Sequence, residues 1–76
     1  MNNSRRKRIN ASINDLKEAQ IKLEQVLNEE RIAQENLPLD NEYNDMRDGM
    51  DDIISGLEDT LSYLEYSLST LDGCDF

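Results

Sequence analysis

The chain has 76 residues, a formal net charge of −9, and 33% charged against 37% hydrophobic residues. That length bounds it to one small domain, and three Tyr, one Phe and no Trp supply too little bulk for a broad α/β core. No apolar run approaches the ~18 residues of a membrane span and no signal-peptide core is present, so the expectation is a soluble protein of the cytoplasm with no membrane partner. The single cysteine, Cys74, has no internal disulfide partner, in keeping with a reducing compartment.

The charge is unevenly placed. Residues 1–36 carry seven basic and six acidic side chains, whereas residues 37–76 carry one basic residue, Arg47, against eleven acidic. Half of the positive charge lies in Arg5-Arg6-Lys7-Arg8. A partner would therefore meet a basic end and an acidic helix as different surfaces.

In chain order, Met1-Asn2-Asn3 reads as a frayed start, with Asn3 or Ser4 as N-cap of a helix over about 5–36. Its apolar stripe runs Ile9, Ile13, Leu16, Gln20, Leu23, Leu27, and Ala19, Val26 and Ala33 widen it at a seven-residue repeat. Pro38 stops this helix, because the residue before a proline is pushed out of the helical region. Residues 37–40 form the turn, and Asp40 is a natural N-cap for a second helix over about 41–72, with Gly73 as its C-cap. The second stripe reads Tyr43, Met46, Met50, Ile53, Leu57, Thr60, Leu64, Ser67, Leu71, widened by Ile54, Leu61 and Leu68. The expected fold is all-α: one hairpin domain over 1–76, two long antiparallel helices of similar length.

Three apolar positions per heptad are more than a lone two-helix seam covers. The expectation is self-association into a helical bundle, a dimer or higher, with Leu16, Leu23, Leu27, Ile53, Leu57 and Leu64 in its core. Gly49 and Gly56, seven apart inside the second helix, each cost about 1 kcal/mol relative to alanine. They allow either close approach of the helices beside the seam or room for a ligand or partner.

The catalytic inventory is thin. The chain has no histidine, hence no imidazole base and no His metal ligand, and Cys74 has no basic neighbour to lower its pKa. The segment Asp40–Asp45 resembles a calcium loop superficially, but Asp45 stands where glycine is needed and Asp51 where glutamate is needed. The expectation is a non-enzymatic protein with no cofactor and no metal.

Two charged features carry the binding hypotheses. Arg5, Arg6, Lys7 and Arg8 place four positive charges at the positive end of a helix dipole, a locally unfavourable arrangement. They read as an anion site for nucleic acid, a nucleotide signal or an acidic protein surface, with Arg31 or Arg47 of neighbouring protomers as further ligands. The competing readings are pairing with Asp72 and Asp75 across the hairpin, or a solvated helix start. The acidic face, Asp51, Asp52, Glu58 and Asp59, reads as a surface for a basic protein or as a mimic of nucleic acid, against the plainer reading of a solvated face.

The order Arg-Arg-Lys-Arg-Ile at 5–9, Val26-Leu27-Asn28-Glu29-Glu30, Asn36-Leu37-Pro38, Gly49-Met50, Leu57-Glu58 and Leu64-Glu65 resembles a group of small uncharacterised phage and prophage proteins of Gram-positive bacteria. The resemblance implies a phage origin and an accessory role in the host cytoplasm, such as inhibiting a host defence protein or sequestering its signal. The functional expectation is thus an oligomeric binding or inhibitor protein whose partner is a host protein or an anionic nucleotide. A small nucleic-acid-associated regulatory protein is the alternative, and the acidic balance weighs against nucleic acid as partner.

Overall fold

The computed structural model describes residues 2–74. Two helices fold against each other as an αα-hairpin: α1, Asn3–Glu35, and α2, Asn44–Asp72, with a 3-10 turn at Asn41–Tyr43 between them and no strand among the described residues. The N-cap is Asn2, whose side-chain Oδ1 accepts a 2.9 Å bond from the Arg5 backbone N–H. The cap thus lies one residue before the expected Asn3 or Ser4. Helix α2 begins at Asn44 rather than near 41, because Asn41–Tyr43 wind more tightly and Asp40 makes no side-chain cap bond.

The helices meet along one seam of alternating four- and three-residue steps. On α1 it comprises Ile9, Ile13, Leu16, Gln20, Leu23, Leu27, Glu30 and Gln34, and on α2 Arg47, Met50, Ile54, Leu57, Leu61, Leu64, Leu68 and Leu71. Only Ile13, Leu27, Ile54 and Leu68 are buried, and the rest are half-buried except Leu16, which is 37% exposed. This corrects the α2 stripe. Ile54, Leu61 and Leu68, read as flank, are central, while Met46, Ile53, Thr60 and Ser67, read as stripe, lie exposed beside it. Of the six residues expected in an oligomer core, Leu23, Leu27, Leu57 and Leu64 pack within the hairpin itself, whereas Leu16 and Ile53 are exposed.

The seam has two unlike edges. Residues that follow seam positions share one edge, on which Arg31 Nη2 lies 3.3 Å from Glu58 Oε1. Lys17, Glu24, Asp51, Glu65 and Asp72 occupy equivalent places, so this edge is charged. Residues that precede seam positions share the opposite edge: Ser12, Ala19, Val26 and Ala33 on α1, and Met46, Ile53, Thr60 and Ser67 on α2. That edge is uncharged and mixes small hydroxyl residues with apolar ones, of which Val26 is 47%, Met46 56% and Ile53 53% exposed.

Replacing Ile54 with alanine removes part of one of four buried side chains and should cost about 2–4 kcal/mol. Ile32→Ala, at an exposed site, should cost less than about 1 kcal/mol. Urea denaturation followed by circular dichroism measures both; equal losses would mean that Ile54 is not in the seam.

Candidate anion-binding groove at the open end

Successive helical residues point about 100° apart, so four consecutive basic residues cannot form one patch. Arg5 and Arg8, three apart, do share a face. With Ile9, Ser12 and Ile13 of α1 and Leu71 of α2 they line an open groove of about 440 Å³ at the end of the hairpin where α1 begins and α2 ends. The Ser12 hydroxyl donates to the Arg8 carbonyl at 2.9 Å and is turned back on its own helix. The groove therefore has an apolar floor of Ile9, Ile13 and Leu71 and a rim of two guanidinium groups. Arg6 and Lys7 are exposed and do not line it.

Among the described residues no carboxylate lies within ion-pair distance of the basic run; the ion pair they contain is Arg31–Glu58. Asp72 makes no such pair, and Asp75, the other expected partner, lies outside the described residues. A bidentate acceptor such as a phosphate or carboxylate can engage both groove arginines, and the floor can take an apolar or aromatic body attached to it.

At the opposite end of the hairpin, polar side chains fasten the chain reversal, while Leu39 is 92% exposed. Arg47 Nη2 donates to the Pro38 carbonyl at 2.9 Å and Nη1 to Asn44 Oδ1 at 3.3 Å. Gln34 Nε2 donates to the Arg47 carbonyl at 3.2 Å and to the Asp51 carboxylate. Arg47, considered above as an anion ligand, instead fastens the turn, and Arg31 is engaged by Glu58. Sequence reasoning missed this role, although Arg47 stands seven residues before Ile54 and is the sole cation of α2.

The four acidic candidates divide. Asp51 and Glu58 lie on the charged edge and are tied to Gln34 and Arg31 of α1. Asp52 and Asp59, one position further round, are exposed and continue a seven-residue column from Asp45. No group of three or more His, Cys, Asp or Glu side chains among the described residues is placed to hold a metal ion. Cys74 is exposed, with its Sγ 3.3 Å from the Thr70 carbonyl oxygen. A Cβ added at Gly49 or Gly56 would meet no atom within 4 Å, so neither glycine serves close packing inside the hairpin. No described helix is long and apolar enough to cross a membrane.

Compared with protein-family models, curated proteins and solved structures, the chain matches none.

Arg47→Ala removes charge-assisted bonds at the turn and should destabilise the hairpin by about 1.5–3 kcal/mol. Arg47→Lys should recover only part, since an ammonium cannot span Pro38 and Asn44 as the guanidinium fork does. Thermal melts of the two variants test this; an unchanged midpoint for Arg47→Ala would dismiss the clamp.

Proposed function

We propose that this chain is a non-enzymatic binding protein whose open-end groove receives a ligand carrying an anionic group on an apolar or aromatic body. The observation that carries this reading is the pairing of Arg5 and Arg8 over a floor of Ile9, Ile13 and Leu71. A nucleotide has this chemistry: its phosphate suits the guanidinium rim, and its base and sugar can lie against the floor. Capture of such a ligand needs no nucleophile and no general base, only donors and apolar surface. The resemblance to phage proteins supplies the setting, in which the protein would neutralise a host component by sequestering an anionic nucleotide signal.

A second reading has its own support. Asp45, Asp52 and Asp59 form an exposed column at a seven-residue repeat, with no ion pair among the described residues. Such a column would engage a basic surface of a host protein, and the protein would then act as an acidic inhibitor. A role on nucleic acid is opposed by the net charge of −9, since most of the surface would repel phosphates.

Calorimetric titration with mononucleotides, cyclic dinucleotides and inorganic pyrophosphate tests the groove. At least one nucleotide should bind the wild-type chain, with affinity falling as salt is added. Replacing Arg5 and Arg8 together with glutamate should weaken that binding by about a hundredfold or more, with helical content retained. Failure of every nucleotide, or equal binding by the double variant, would transfer the argument to Asp45, Asp52 and Asp59.

A further inference from the structure

The uncharged edge described above ends at the basic groove and is bordered on both helices by columns three residues further on. On α2 this border is Gly49, Gly56, Tyr63 and Thr70, and both glycines open on empty space. On α1 it is Arg8, Asp15, Lys22 and Glu29, whose signs alternate along the helix. This order is its own complement under a two-fold axis. If α1 meets a second α1 running the opposite way about a point between Glu18 and Ala19, Arg8 faces Glu29 and Asp15 faces Lys22. A parallel pair in register would set each charge against its like.

We propose that two copies of this chain dock through the Ser12–Ala19–Val26–Ala33 edge of α1 as an antiparallel, two-fold symmetric four-helix bundle, with Thr60 of α2 beside Ser67 of the copy. The arrangement covers Val26 and Ala33, which the hairpin leaves exposed, and borders the α1–α1 contact with ion pairs of opposite sign. It also separates the acidic turn ends, because residues 20–57 carry three basic against ten acidic side chains. The dimensions suit this occupant. A compact monomer of 8.8 kDa exposes about 4,800 Å², whereas this hairpin exposes 5,891 Å². With the axis near its middle, α1, 33 residues long and roughly 50 Å in length, overlaps its copy from end to end. Arg8 borders both this edge and the groove, so the test uses Ala19, Ala33, Asp15 and Lys22, which lie outside the groove.

The test is cysteine cross-linking of the full-length chain in a Cys74→Ser background. Ala19→Cys lies at the two-fold axis and should form a disulfide-linked dimer on mild oxidation. Ala33→Cys would lie about 40 Å from its copy and should not. Cross-linking at both positions would indicate a parallel pair and overturn the proposal, as would a monomeric mass by sedimentation at submillimolar concentration. Asp15→Lys should weaken the dimer several-fold, with Lys22→Asp added to it restoring affinity. Loss without restoration, at unchanged helical content, would also overturn it. Because neither residue lines the groove, failure here leaves the Arg5–Arg8 reading standing, and failure of nucleotide binding leaves the dimer standing.

Discussion

Two helices in contact along a single line can bury only the side chains on that line, and this constraint governs the molecule. Ile13, Leu27, Ile54 and Leu68 are its buried core. The rest of the apolar surface is divided among half-buried seam residues, the exposed edge, the outer faces at Ile21, Ile32 and Tyr66, and Leu39 at the turn. The result is a rod with a radius of gyration of 17.6 Å, against about 11 Å for a compact domain of this length. A rod this thin is exposed along its ends, edges and outer faces, with a buried core of four side chains among the described residues.

The seam changes character along its length, and the two ends consequently differ. At the turn end it contains Glu30, Gln34 and Arg47, whose polar groups are used to fix the chain reversal: Arg47 holds the Pro38 carbonyl, and Gln34 bridges to Asp51. At the open end the seam is apolar, and Ile9 and Leu71 remain half-buried beside the buried Ile13. The charge-assisted bonds thus specify the hairpin at one end. At the other, the same two helices leave apolar surface beside guanidinium groups that make no ion pair among the described residues, the combination that an amphipathic anion can satisfy.

The helices and the reversal were legible because a period of 3.6 residues and a proline are strong local signals. The face of α2 was not, and the reason is specific. Two ladders share Met50, Leu57, Leu64 and Leu71: one adds Met46, Ile53, Thr60 and Ser67, the other Arg47, Ile54, Leu61 and Leu68. The second is richer in aliphatic residues but begins on an arginine, which made the first look continuous. Only the packing of α1 decides between them, and it does so because Arg47 finds acceptors at the turn that an isolated helix lacks. At the candidate site, Arg5 and Arg8 could be paired by their spacing of three. That Leu71 completes their groove followed only from the register of the hairpin, and the exclusion of Arg6 and Lys7 from the helical screw.

The distribution of charge also limits how a second chain can approach. On α2 the charged edge carries Asp51, Glu58, Glu65 and Asp72, and the neighbouring outer column Asp45, Asp52 and Asp59. Arg31 and Lys17 are the cations available beside them, and Arg31 is already paired with Glu58. Two copies brought together on that side would confront carboxylate with carboxylate, at a cost that the low polarity of an interface would increase. The opposite edge carries no carboxylate of its own, and its α1 border alternates in sign. In the proposed dimer, repulsion on one side and complementarity on the other would act together: the acidic surface would disfavour contact there, and the α1 border would favour contact at the edge of Val26.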